Sequence, residues 1–268
     1  MKRAFFVLLA LLCAVLMPGC GQKDDVSADR SLERIKSKGV FVVGLDDAFP
    51  PMGFREKENG EIIGFDIDLA RAVAERIGVK AVFKPVPWGG VILSLNRGDI
   101  DVIWNGLSIT QEREKEIIFS KPYLKNRQVV IVRSGSQITG KAGLVGKKVG
   151  LQLGSSSEKA LNSDPEIVKS LNEVKKYPDN QLALLDLEAG RIDAVVVDEV
   201  VGRYNILRRP GAFEVLSDNF GDEVYGVGFR RGDVAFRDAI DKELDVMKKD
   251  GSADEIARKW FGVAVIKK

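Results

Sequence analysis

A short motif occurs twice in this chain and restricts its fold more than any other feature. Gly98-Asp99-Ile100-Asp101-Val102-Ile103 returns as Gly190-Arg191-Ile192-Asp193-Ala194-Val195. In each copy a glycine ends a helical stretch, and an Ile-Asp pair leads into an apolar run that suits a buried strand. Upstream lies a second match, Gly44-Leu45-Asp46 against Gly150-Leu151-Gln152, each closing a valine-containing strand. Two similar α/β lobes follow. The first lobe shows the alternation expected of mainly parallel sheets. Val40-Phe41-Val42-Val43 reads as a strand, and Leu69, Val73 and Ile77 recur every fourth residue from Asp66 until Gly78 stops the helix. Ala81-Val82-Phe83 is the next strand.

Open α/β sheets bind ligands beyond the carboxyl ends of their strands. In the first lobe those ends carry Asp46 to Phe49 and Asn105-Gly106-Leu107-Ser108; in the second they carry Gln152 to Ser157 and Asp198. The chain is expected to leave the first lobe near Pro122-Tyr123 and to return between Asp222 and Gly228. That path makes two crossings, and hence a hinge.

The amino terminus reads as an export signal. Met1-Lys2-Arg3 precedes an apolar stretch from Ala4 to Met17, then Pro18-Gly19-Cys20. The stretch falls short of the roughly 20 apolar residues a spanning helix needs. Leu16-Met17-Pro18-Gly19-Cys20 resembles a bacterial lipoprotein box, with Met17 where leucine is usual, which implies a lipid on Cys20 after cleavage. Cys13 would be discarded with the signal, so the mature chain has no pair of thiols for a disulfide. Gly21 to Arg30 is polar and reads as a tether, so the folded body begins near Ser31. Lys2 and Arg3 account for the whole formal charge of +2. Without them the chain is balanced and offers no basic field to nucleic acid.

Several residues at the strand ends have two readings each. Gly154-Ser155-Ser156-Ser157-Glu158 opens a helix; Ser155 and Glu158 have capping-box spacing, and the helix end suits an anion such as a carboxylate. It lacks the Gly-Lys-Ser/Thr ending of a phosphate loop. Arg113, just inside a helix that Thr110 can cap, suits a two-pronged carboxylate clamp or a salt bridge to Glu112, Glu114 or Glu116. Asp198 suits an ammonium receptor or an N-cap for the segment from Glu199. Asp46 poses the same choice between a ligand side chain and a turn. Phe49 and Trp88 suit a sandwich around an extended side chain, or plain core. Catalysis has little to draw on, since there is no histidine, no dinucleotide fingerprint and no metal-ligand cluster. Neither cofactor nor metal is expected.

These residues converge on one family. Gly64-Phe65-Asp66-Ile67-Asp68-Leu69-Ala70, Trp104-Asn105-Gly106-Leu107-Ser108-Ile109-Thr110 and Glu112-Arg113 resemble the polar amino-acid-binding proteins of ABC importers. Ala189 to Ala194, Asp198-Glu199, Tyr225 to Phe229 and Lys259 to Gly262 extend the match over essentially the whole mature chain. The resemblance implies the α/β, two-lobed periplasmic-binding-protein fold, with a mainly parallel, helix-flanked sheet in each lobe and a two-crossing hinge. The expected division is a signal peptide at 1–19, lipidated Cys20 and tether at 20–30, lobe one at 31–124 plus 226–264, and lobe two at 125–225. By the same resemblance Arg113, Ser108 and Ser156 hold the ligand carboxylate, and Asp198 with the Gly106 carbonyl takes the ammonium. Asp46, Phe49, Trp88, Asn105 and Gln152 surround the side chain. Asn105 and Gly106 stand where the histidine-binding member has two serines, and Gln152 replaces its apolar residue, so side-chain selectivity does not carry over. The implied function is capture of a free polar or cationic L-amino acid for the membrane subunits of an importer, by a monomer exported to the periplasm or the outer face of the cytoplasmic membrane. The alternatives are a cyclohexadienyl-dehydratase-like enzyme on the same scaffold and a sensory protein that presents its ligand to a receptor.

Overall fold

A computed structural model describes residues 29–264; the signal, Cys20 and nearly all of the tether lie outside them. Two five-stranded sheets form the framework. In the first the order is Lys80–Pro85, Val40–Leu45, Val102–Ile103, Gly228–Phe229 and Ile118–Phe119. In the second it is Glu173–Tyr177, Lys148–Gln152, Ala194–Asp198, Leu124–Arg133 and Phe213–Tyr225. Within each, the first three strands run parallel, and the fourth is antiparallel to its neighbours on both sides. A small antiparallel sheet of Ala48–Phe49, Gly53–Arg55 and Ile62–Ile63 is an addition that alternation of strands and helices did not announce.

The repeated motif is a structural repeat down to single hydrogen bonds. Gly44 pairs with Ile103 and Gly150 with Val195, the same register in both lobes. Asp101 accepts the Val42 N–H at 2.9 Å, as Asp193 accepts that of Lys148 at 2.8 Å. A Cβ on Gly44 or Gly150 would collide with the Cδ1 of Ile100 or Ile192, so close packing accounts for both glycines. Each lobe also sends one guanidinium to the matching carbonyls, from the end of an antiparallel strand or the residue just past it. Arg230 donates to Leu95 and Ile100 at 3.1 and 2.7 Å; Arg133 donates to Leu187 and Ile192 at 2.8 and 2.9 Å.

Helix Phe65–Ile77 packs on the first sheet through the fully buried Phe65, Ile67, Leu69, Ala70 and Val73, and ends at Gly78 with φ of 85°. Helix Val234–Asp250 buries Phe236, Ile240, Leu244 and Met247, one face at helical spacing. Trp260 and Lys259 then bind Asp68 at 2.8 and 2.7 Å, fastening the last helix, Ser252–Phe261, to the first lobe.

The chain enters the second sheet at Leu124 and leaves it at Tyr225, and these two residues pair with each other. Just before the crossing, Tyr123 donates its N–H to the Tyr225 carbonyl at 3.0 Å, and its hydroxyl goes to Asp66 at 2.9 Å. The hinge is thus a pair of short antiparallel segments with a tyrosine on each.

Candidate functional site

Strand ends from both sheets meet at one cleft. The helix Gln111–Glu114 is a single turn, capped as expected by Thr110, whose hydroxyl accepts the Arg113 N–H. Arg113 forms no ion pair with Glu112, Glu114 or Glu116. Its guanidinium turns inward, donating to the Ser108 carbonyl at 2.9 Å and reaching the Gly154 carbonyl of the other lobe at 3.4 Å; it lies 6.0 Å from the Trp88 ring centre. Burial pulls its proton affinity down, while the charges of Glu223 and Asp198 push it up. Guanidinium keeps its proton under such opposition.

Ser156 comes from helix Ser156–Asn162. Ser155 caps that helix, and Glu158 accepts the Gly154 N–H at 2.8 Å, so the capping reading of this segment holds. The next residue still faces the cleft: the Ser108 hydroxyl donates to that of Ser156 across the lobes at 2.9 Å. Arg113, Ser108 and Ser156 therefore converge.

Asp198 closes the strand Ala194–Asp198 and makes no capping bond to the helix Glu199–Arg208. Its Oδ1 accepts instead from Asn126 Nδ2 at 2.7 Å, Gln128 Nε2 at 3.0 Å and the Tyr225 hydroxyl at 2.6 Å. The same two amides donate to Glu223 at 2.5 and 2.8 Å. Ser157 donates to Gln128 Oε1 at 2.6 Å, which fixes the amide with its nitrogen toward the carboxylates. Burial, then the charge of Glu223, raise Asp198 well above the usual carboxylate range. The sequence reading missed Glu223, Asn126 and Gln128.

On the other flank, Asp46 is 8% exposed and accepts the Ala48 N–H at 2.9 Å and the Gln152 amide at 2.6 Å. Burial lifts it to about 6. Gln152 is locked in turn, donating to the Pro178 carbonyl and accepting from Asn180. Phe49 and Trp88 lie nearly parallel, 6° apart in plane, with ring centres at 6.4 Å. Asn105 supports this flank from behind, its Oδ1 taking the Asp46 N–H at 3.1 Å and its Nδ2 lying against Gly53. Gly106 has φ of 58°, and a Cβ there would press on Phe49 at 2.7 Å. Its N–H is held by Asp66 at 2.7 Å.

The lobes are shut on each other. Besides the Asp46–Gln152 and Ser108–Ser156 bonds, Lys159 pairs with Glu112 across the cleft, and a Cβ on Gly154 would lie 2.8 Å from the Gly89 Cα.

Three buried carboxylates give stability an unusual pH slope. Burial raises Asp66 to about 7 and Asp46 to about 6, and Asp198 is raised as well. The folded protein thus holds protons that the unfolded chain, with carboxylates near 4, releases. Their contribution is fully present below about pH 4 and is lost as pH rises through about 7. Carboxylates held low by partners, such as Asp250 at about 2, oppose this only in stronger acid. The thermal midpoint is expected to be several degrees higher at pH 5.5 than at pH 8, at about 2–4 °C per kcal/mol, with Asp66→Asn flattening the slope. A midpoint that rises with pH over this range would contradict it.

The two lobes thus bring Arg113, Ser108 and Ser156 together in a cleft that also holds Asp198 and Asp46. Residues 41–263 match the model for bacterial extracellular solute-binding proteins, family 3, and the chain belongs to that family. It is 32% identical over 262 residues to the L-cystine-binding protein TcyJ of Escherichia coli strain K12, covering 97% of this chain and 96% of the relative. It is 33% identical over 273 residues to the ABC transporter glutamine-binding protein GlnH of Bacillus subtilis strain 168, covering 97% and 98%. Among solved structures it is similar to an ABC uptake transporter substrate-binding protein of Streptococcus pneumoniae with bound histidine, at a TM-score of 0.86 and 36% identity over 90% of this chain and 100% of that one. It is also similar to an ancestral amino-acid-binding protein described as a precursor of cyclohexadienyl dehydratase, at a TM-score of 0.77 and 34% identity over 86% and 99%.

Proposed function

We propose that this chain is the extracytoplasmic solute-binding component of an ABC importer and captures a free L-amino acid with a polar or cationic side chain. One observation carries the reading: Arg113, Ser108 and Ser156 converge from two lobes on one side of a cleft whose other polar wall is Asp198. An anion clamp and a cation receptor in one cleft match the two charges that an α-amino acid backbone presents. Beyond it, Asp46 takes only the neutral donors Ala48 and Gln152 among the described residues, so a cationic side chain would give that buried carboxylate a counter-charge. The parallel rings of Phe49 and Trp88 suit the flat face of a guanidinium or amide.

Enclosure supplies the affinity such a small ligand needs. With roughly ten heavy atoms, micromolar binding near −8.2 kcal/mol asks about −0.8 kcal/mol per atom, a high yield that favours burial on all sides. Lobe closure provides it, and gives importer membrane subunits a shape to read. A lipid on Cys20 belongs to the same proposal, keeping the protein at the outer face of the cytoplasmic membrane where those subunits open. A dehydratase-like activity is the second reading, favoured by Asp198, whose hold on a proton is strengthened by burial and by the neighbouring Glu223, as a general acid requires. Calorimetric titration with amino acids, beside absorbance assays with prephenate and arogenate, separates the two. Binding without turnover is expected; turnover of either acid would overturn the transport reading.

A further inference from the structure

Glu223 has no part in the clamp described so far, yet it flanks the same wall as Asp198, with the strand Leu124–Arg133 and its Asn126 and Gln128 lying between their two strands. The two carboxylates share both their amide donors: Asn126 Nδ2 reaches them at 2.7 and 2.5 Å, and Gln128 Nε2 at 3.0 and 2.8 Å. Glu223 Oε1 also lies 3.5 Å from the Ser156 hydroxyl, on the carboxylate side of the cleft. Two neutral amides satisfy hydrogen bonds but bring no positive charge, so two carboxylates this close need a cation or a proton between them.

Among the described residues no cation forms an ion pair with either carboxylate. Arg113 faces the pair from the first lobe and feels the charge of both carboxylates, but its hydrogen bonds go to the Ser108 and Gly154 carbonyls and it touches neither. Arg127, on the same strand as Asn126 and Gln128, is held in a two-pronged pair with Glu199 at 2.7 and 2.8 Å. Lys159 is paired with Glu112. Lys125 is exposed, and Asp222 adds a further negative charge. Tyr225 donates a hydrogen bond to Asp198 and is pushed well above its ordinary range by burial and by the Asp198 charge, so it stays neutral. A cavity of about 860 Å³ reaches Asn126, Gln128, Ser156 and Glu223 from a rim that includes exposed Lys125 and Asp222, which gives protons a route to solvent.

We propose that Glu223 is a ligand-binding residue: with Asp198 it forms a two-carboxylate receptor for the amino acid's ammonium group, and capture of the ligand displaces one proton held by the pair. The inference rests on the amino-acid reading above and adds a residue and a proton to it. The exchange balances: the protonated pair and the incoming ammonium become an ionised pair around that ammonium, and the released proton leaves to solvent through the cavity. Acid therefore competes with ligand, and affinity falls as pH drops. A ligand whose α-nitrogen is acylated, and so uncharged, would be excluded.

The test uses the tightest binder among the standard L-amino acids as probe. Its affinity is measured from pH 5 to pH 9 for the wild type and Glu223→Gln, and proton release is read near pH 7 by calorimetry in buffers of different ionisation enthalpy. The wild type is expected to release up to one proton per ligand and to lose about tenfold in affinity per pH unit on the acid side. Glu223→Gln is expected to bind about tenfold more weakly at pH 9, with less proton release and with its loss of affinity beginning at lower pH. A wild type that binds without releasing a proton overturns the inference. So does a variant equal to the wild type, or one weakened equally at every pH with unchanged proton release, which would make Glu223 a structural residue. Wild-type protein that binds none of the amino acids overturns the proposed function, and this inference with it.

Discussion

Arg113→Ala is expected to weaken amino-acid binding about a hundredfold and to leave the unliganded protein's thermal midpoint nearly unchanged. Hydrogen bonds to a charged group contribute about 1.5–3 kcal/mol each, and a lost guanidinium fork removes two of them from the ligand carboxylate. At about 1.4 kcal/mol per decade, a hundredfold is a restrained figure. The fold should tolerate the change because Arg113 forms no ion pair among the described residues, and the carbonyls of Ser108 and Gly154 that it touches lie at the cleft, where water can replace it. Arg113→Lys separates charge from geometry, since it keeps the cation but not the planar fork, and should fall between the two. Calorimetry with the preferred amino acid reads both variants. An alanine variant that binds like the wild type would return Arg113 to a solvated helix residue.

Gly154→Val is expected to cost at least tenfold in affinity by a different route, with every ligand contact still present in the chain. Gly154 has φ of 73°, a conformation costly for any residue with a Cβ and worst for a β-branched one. Its Cβ would also meet the Gly89 backbone of the opposite lobe at 2.8 Å. Backbone cannot swing aside as a side chain can, so the lobes would stop short of full closure. Small-angle scattering should show the variant remaining more extended at saturating ligand, while Gly89→Ala, whose Cβ comes no closer than 3.6 Å to its nearest neighbour, Leu153, closes normally. Full compaction of Gly154→Val on ligand would show that the Gly89–Gly154 contact does not limit closure.

The framework was legible because its repeat is written in residues whose packing allows no substitute. Gly44 and Gly150 face Ile100 and Ile192 too closely for a side chain, so both glycines and both isoleucines survive in the sequence as a matched set. Arg230 and Arg133 make the same pair of bonds in the two lobes, yet nothing adjacent to them repeats, because their strands enter each sheet from different parts of the chain. The short sheet around Ala48–Phe49 escaped notice since two-residue strands carry no periodicity.

At the site, two-sided readings divided according to where each side chain points, which sequence spacing does not specify. Asp198 and Arg113 each had a sound local explanation, and each turns away from it: Asp198 makes no cap, and Arg113 passes over three neighbouring glutamates. Ser155 did take its local role, leaving Ser156 for the cleft. Asn126 and Gln128 alternate on the strand Leu124–Arg133, a pattern that ordinarily marks a solvent-facing edge. Here that face meets the other lobe at the cleft wall, a tertiary fact that alternation alone does not contain. Glu223 was hidden for the same reason, at the end of the polar strand Phe213–Tyr225 whose register against its partner shifts twice.

The most direct measurement is calorimetric titration of the purified protein with each standard L-amino acid at pH 7.5. At least one with a polar or cationic side chain is expected to bind one-to-one at micromolar affinity or tighter. Binding to none of them would contradict the assignment of this cleft to amino-acid capture.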